Sequence, residues 1–174
     1  MKLIETPVKD AYLVEPDRYD DHRGFFQEIY NFNRSGEVTP IFVPATQVNW
    51  SYSHRNVIRG IHKVPFFKVC TCVSGELWDV VVDLRKTSPT YKKWFGVWLN
   101  PEAPRQLFVP PHCGHGFFAA TDNTILIYAQ GGCYEPSLEE SVYYADPTLN
   151  IEWPKTRDGD YILSDKDQVA SRLS

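Results

Sequence analysis

Two sets of side chains in this sequence have the types and spacing to do chemistry. The first is the decade RGIHKVPFFK, in which Arg59, His62 and Lys68 stand among largely apolar neighbours. A solvated loop would carry more Ser, Asn, Asp and Glu, and a buried strand would not carry three basic groups. Those charges need a partner. The second set is the four cysteines, Cys70, Cys72, Cys113 and Cys133. The Cys-x-Cys spacing of Cys70 and Cys72 puts both thiols on one face of a strand, which is poor geometry for a bridge between them. Zinc would want further Cys or His at paired spacing, and the sequence offers none. The thiols read as reduced, small buried hydrophobes.

The elements that must position these groups are strands. At 174 residues the chain is a single domain, 1–174, long enough to bury a core. A formal charge of −4 and a pI near 5.7 exclude a general nucleic-acid binder, which would show a basic stripe. No apolar run approaches the roughly 18 residues of a membrane helix, and the opening MKLIETPVKD has no apolar signal core. The expectation is a cytoplasmic protein with no membrane partner.

VCTCV, SGE and LWDVVVDL read as two strands about a tight turn. Trp78, Val80, Val82 and Leu84 share one face of the second and Leu77, Asp79, Val81 and Asp83 the other, the alternation of a half-buried antiparallel strand. FGVWLN, QLFVP, GHGFFAA and NTILIYAQ follow between Pro, Gly and Asn breaks. Short strands so spaced predict an all-β sandwich or barrel. The best helix signal is the tail LSDKDQVASRL, with Ser164 as cap and Asp165 and Asp167 in the first turn. A barrel mouth is the natural site. Lys68 shares a face with Cys70 and Cys72 and so points inward. Tyr128 lies on a strand face with Thr124, Leu126 and Gln130. A straight strand would turn Arg59 and His62 to opposite faces, and Gly60 between them permits a bulge that unites them.

DDHRGFFQE, NVIRGIH, GELWDVVVDLRKTSPTYKKW, RQLFVPPHCGHGF, ADPTLNIEWP and LSDKD, in this order, resemble the signature blocks of the dTDP-4-dehydrorhamnose 3,5-epimerase family. The resemblance runs from about Asp20 to Asp167. It implies a cupin-like jelly-roll barrel with a few short helices, a homodimer, a nucleotide-diphosphate sugar as substrate, and neither metal nor organic cofactor. Members invert a 4-keto-6-deoxy sugar at C3 and C5, whose protons are both alpha to the carbonyl. Inversion through an enolate needs a base on one ring face, a proton donor on the other and a positive group at the oxyanion.

The resemblance gives His62 the base role, Asp146 the carboxylate beside it, Lys68 the enolate oxygen and Tyr128 the acid. Arg59 and Gln47 fall to the diphosphate, with Arg23 reaching in from a second subunit. Glu28 and Phe26 are implied at the nucleobase, Tyr134 beside the nucleotide-sugar, and Asn49 and His115 in the pocket wall. The sequence departs from the family where Lys63 replaces a glutamine after the histidine and the loop to Lys68 is shortened. It departs again at Cys133-Tyr134 and at Tyr144-Ala145-Asp146. The short loop resembles that of epimerases acting on GDP-linked 4-keto-6-deoxy heptoses, and inversion at C3 or C5 alone is a further alternative. Two other readings are a metal-dependent cupin using His54, His62, His112 and His115, and a sugar-nucleotide binding module without catalysis.

Overall fold

The structure, a computed structural model, describes residues 1–31, 44–103 and 105–173. A six-stranded antiparallel sheet has the order β1-β2-β10-β7-β12-β5, with β1 Lys2–Glu5, β2 Tyr12–Glu15, β10 Gln106–Val109, β7 Lys68–Ser74, β12 Thr124–Gln130 and β5 Gln47–Ser53. A five-stranded sheet runs β13-β6-β11-β8-β9, with β13 Glu140–Ser141, β6 Ile58–Lys63, β11 Gly114–Ala119, β8 Leu77–Val82 and β9 Trp94–Leu99. A separate ribbon pairs β3 Arg18–Asp21 with β4 Gly24–Gln27. The architecture is the expected cupin-like jelly roll. Among the described residues no helix is long and apolar enough to cross a membrane.

The main core lies between the sheets. Cys70, Cys72, Leu107, Val109 and Leu126 face Leu77, Val81, Val97, Leu99 and Phe117. Contrary to the half-buried pattern expected of β8, its other face is buried as well. Val80 and Val82 lie beneath Leu149, Ile151, Trp153 and Leu173 of the C-terminal segment. Fully burying such a side chain is worth about 1.5–3 kcal/mol, so covering this face is what holds the segment down. Backbone bonds help: Ile58 N–H donates to Ile162 O at 2.9 Å, and Ile162 N–H donates to Asn56 O at 2.9 Å. The segment then forms the short helix α1, Asp165–Gln168, capped as expected by Ser164, whose hydroxyl accepts from Asp167 N–H at 3.2 Å.

Just beyond β8, Asp83 is fully buried and ties loops together. It accepts from Arg85 Nε and Nη2, both at 2.9 Å, from Ser88 Oγ at 2.5 Å and from Thr90 Oγ1 at 2.6 Å. Arg85 also donates to Asp10 at 2.8 Å. Burial alone would raise the Asp83 carboxyl, but these bonds outweigh it and hold it well below the usual range. A depressed folded-state pKa means that its stability contribution is fully present above the ordinary aspartate range. That contribution is lost as pH falls toward the folded value. Asp83→Ala leaves Arg85 with Asp10 alone and takes the acceptor from Ser88 and Thr90, and should cost about 1–3 kcal/mol in urea denaturation near neutral pH, with the deficit shrinking in acid.

Candidate active site

A cavity of about 530 Å³ opens between the sheets, lined by Arg59, His62, Lys68, His115, Tyr128 and Asp167 among others. Its geometry begins with a bulge in β6. His115 of β11 opposes His62 and Phe117 opposes Arg59, so Gly60 and Ile61 together face Gly116. Gly60 has φ +122°, and a Cβ there would lie 2.6 Å from Gly116 Cα and 2.8 Å from His115 O. Only glycine fits. The bulge turns Arg59 and His62 to the same cavity, as the sequence permitted.

Helix α1 delivers the carboxylate. His62 Nε2 lies 2.7 Å from Asp167 Oδ1, while Gly60 N–H donates to Asp167 Oδ2 at 3.4 Å. Burial pushes the Asp167 carboxyl up, but the bonds from His62, Gly60 and Ser164 prevail and keep it below the usual range. An ionised Asp167 makes Nε2 the protonated nitrogen of a neutral His62 and leaves the Nδ1 lone pair for a ligand. Glu139 Oε2 stands 4.0 Å from that Nδ1 and is itself paired with Lys166. Glu139 owes its place to the pairing of β13 with β6, which sets Glu140 against Lys63 and Ser141 against His62.

The opposite wall comes from the six-stranded sheet. Lys68 is buried at the start of β7, and desolvation lowers its pKa while the carboxylates of Glu139 and Asp79 partly restore it. Tyr128 shares 3.0 Å with Ser51 Oγ, and burial pushes its phenol well up. His115 Nε2 lies 2.7 Å from Asp79 Oδ1, and its ring meets Tyr128 edge-on at 6.0 Å. At the rim, Arg59 donates to Ser53 Oγ at 3.1 Å and to Tyr52 O at 2.9 Å.

Of the residues singled out in the sequence, His62, Lys68, Tyr128, Arg59, Asn49, Tyr134 and His115 line this cavity. Gln47 braces its edge, donating to Asn49 Oδ1 and accepting from Tyr134 N–H, both at 2.8 Å. Arg23, Phe26 and Glu28 do not line it. Arg23 pairs with Asp21 at 2.6 Å at the tip of the β3–β4 ribbon, Phe26 is exposed on β4, and Glu28 accepts from Asn31 Nδ2. Asp146 is a correction. The carboxylate on His62 is Asp167, whereas Asp146 is buried away from the cavity, accepting from the backbone of Thr148 at 2.8 Å and Leu173 at 2.6 Å. Cys133 is exposed, against the expectation for a buried thiol. No two of the four histidines of the metal-cupin reading share a potential metal-binding group among the described residues.

Asp167, Glu139 and Lys166 are the site residues that the sequence reading left out. The signal for Asp167 was available: the first-turn acid of a capped helix has a fixed direction. Ser164→Ala removes the cap, worth about 1 kcal/mol. Amide exchange at Asp167, measured by NMR, should quicken roughly fivefold by the same figure, while exchange in β7 and β12 stays unchanged.

The family model described as dTDP-4-dehydrorhamnose 3,5-epimerase matches residues 5–174. The dTDP-4-dehydrorhamnose 3,5-epimerase of Shigella flexneri is 39% identical over 171 residues, covering 96% of this chain and 93% of its own. A dTDP-4-dehydrorhamnose 3-epimerase of Streptomyces niveus is 38% identical over 100% of this chain and 84% of its own. The dTDP-6-deoxy-D-glucose-3,5-epimerase of Legionella pneumophila, solved with dTDP-4-keto-L-rhamnose, superposes with a TM-score of 0.93 at 35% identity, over 98% of this chain and 92% of its own. Matched by the family model over residues 5–174 and sharing fold and nearly its whole length with these proteins, the chain belongs to the dTDP-4-dehydrorhamnose 3,5-epimerase family.

Proposed function

We propose that the protein epimerises a nucleoside-diphospho-4-keto-6-deoxy sugar at the carbons alpha to its ketone, through an enolate and without a cofactor. The observation that carries this is the His62–Asp167 pair on one wall of a cavity whose other wall presents Lys68 and Tyr128. Nδ1 of His62 takes the carbon-bound proton, and Asp167 fixes the tautomer and stabilises the imidazolium. The electron pair moves onto the ketone oxygen, where Lys68 meets the developing charge. Tyr128 then returns a proton to the opposite face of the carbon. Its raised pKa keeps the phenol protonated at working pH, as an acid must be. Arg59 at the rim takes the diphosphate, with Gln47, Asn49 and Tyr134 beside the nucleotide-sugar.

A second copy of the chain completes the site. Arg23, Phe26 and Glu28 stand outside their own cavity, and Phe26 is 70% exposed. The outward face of the edge strand β5 shows Val48, Trp50 and Tyr52, with Trp50 67% exposed. An exposed apolar face on β5 and an exposed ribbon tip suit a homodimer in which each ribbon reaches the other's nucleotide. The protein works in the cytoplasm, where its thiols stay reduced.

Proton NMR in heavy water, with dTDP- and GDP-linked 4-keto-6-deoxy sugars in parallel, tests the reading. Loss of both the H3 and H5 signals, with changed couplings, is expected with the dTDP sugar. Loss of one alone would make it a single-site epimerase, as the Streptomyces niveus relative is named. No exchange with either nucleotide, in folded protein, would replace catalysis with binding. His62→Ala should lower turnover roughly 10²–10⁴-fold while nucleotide binding persists. Tyr128→Phe should still exchange the alpha proton but release little inverted product. Prior chelation should leave turnover unchanged. Arg23→Ala should raise KM roughly 10–100-fold with kcat preserved, the worth of one charged hydrogen bond to phosphate.

A further inference from the structure

Around His115 of the cavity wall, two more buried groups stand that with it can bind a cation. Cys70, Asp79 and His115 come from β7, β8 and β11, are all buried, and bring their donor atoms within 4.8 Å of one another. Cys70 Sγ lies 3.4 Å from His115 Nε2, which lies 2.7 Å from Asp79 Oδ1. The second carboxylate oxygen, Asp79 Oδ2, has no hydrogen-bond partner among the described residues although Asp79 is fully buried. A buried, unmatched carboxylate oxygen is costly, and in a native protein it calls for an explanation.

We propose that Cys70, Asp79 and His115 form a binding site for one thiophilic divalent cation such as zinc, reached from the cavity at His115. The donor set is one that zinc takes, and its bond lengths in a tetrahedron place sulfur and nitrogen about 3.5 Å apart and nitrogen and oxygen about 3.3 Å apart. The first spacing already exists, and the second requires Asp79 to give up its bond to His115 and move by about half an ångström. Thiolate and carboxylate together carry two negative charges, which cancel the ion's own and make its burial tolerable. His115 lines the cavity and so gives the ion an entry path, with a water on the cavity side as fourth ligand.

Binding displaces protons. Burial pushes the Cys70 thiol far up, with Asp79 adding to the rise and Lys68 opposing it, so the metal-free group is a neutral thiol. One proton therefore leaves the sulfur for each ion bound, and His115 shifts its remaining proton to Nδ1 to free Nε2. Lys68 and Tyr128 face the same thiol, and a dication there would oppose the Lys68 ammonium. On the epimerase reading above, occupation stops turnover; the site itself does not depend on that reading.

Cobalt(II) reports thiolate ligation through near-ultraviolet charge-transfer absorption, so it is the probe. The background is Cys133→Ser, which removes the exposed thiol and should leave turnover unchanged. Titration should give a thiolate band saturating at one cobalt per chain and bleached by zinc. Adding Cys70→Ala or Cys70→Ser should abolish the band and weaken zinc at least tenfold, since even an outer partner is worth about 10–100-fold in affinity. Both variants should keep metal-free turnover, which also shows that they fold. Saturating zinc should lower turnover at least tenfold in the Cys70 protein, reversibly with chelator. A band that is absent, or that survives in both variants, overturns the site, as does zinc inhibition at the same concentration in Cys70→Ala. A Cys70-dependent band in a protein that turns over no sugar nucleotide would uphold the site and remove the epimerase reading.

Discussion

A charge enclosed between two apolar sheets must be met by another charge or by aligned dipoles, and this interior is arranged around that constraint. Asp167 is met by His62 and the Gly60 amide, Asp79 by His115, and Asp83 by Arg85 with two hydroxyls. The first two pairings join distant parts of the chain, whereas Asp83 and Arg85 stand two residues apart in one loop. His62 and Asp167 are 105 residues apart in sequence, and His115 and Asp79 are on neighbouring strands. Lys68, the buried cation of the opposite wall, lies in the field of Glu139 and Asp79. The acids that line the site are thus also what makes the burial of its cations tolerable.

The parts of this arrangement differ in how they were written in the sequence. Alternation in LWDVVVDL and the breaks between short strands specified an all-β sandwich, because period-two patterning follows directly from the pleat. The Gly60 bulge was legible too, since two functional groups three residues apart can share a face only if the strand is broken between them. The double burial of β8 was not legible, because alternation tells which residues share a face and nothing about what later covers the second one. Asp146 and Asp167 show the same limit more sharply. Both are acids near the end of the chain in blocks that resemble the family, and only tertiary packing decides which reaches His62. Asp146 spends its oxygens on the backbone of its own turn and of Leu173, leaving Asp167, aimed by the cap at Ser164, as the partner. The Cys70, Asp79 and His115 group was hidden for a related reason. Its members belong to three strands, so no spacing along the chain betrays it.

The C-terminal segment has two jobs. It seals the outer face of the five-stranded sheet through Leu149, Ile151, Trp153 and Leu173, and it ends in the helix that sets Asp167 against His62. The hydrophobic contacts carry most of the energy, and one short hydrogen bond links the segment to His62. A four-residue helix has no independent stability. It holds its form because the residues before and after it are pinned to β6 and to Tyr143, the latter through Tyr143 N–H to Ser171 O at 2.8 Å.

That dependence gives the molecule an uneven fragility. The barrel strands are each bonded along their length to neighbours, whereas the polarising carboxylate hangs on a clamp of a few backbone bonds and side chains. Local opening of that clamp breaks far fewer interactions than opening of either sheet. Under mild denaturant the protein would therefore pass through a state with its β-sheet spectrum intact and Asp167 no longer held against His62. In such a molecule, loss of activity reports the seating of the tail and says little about the barrel beneath it.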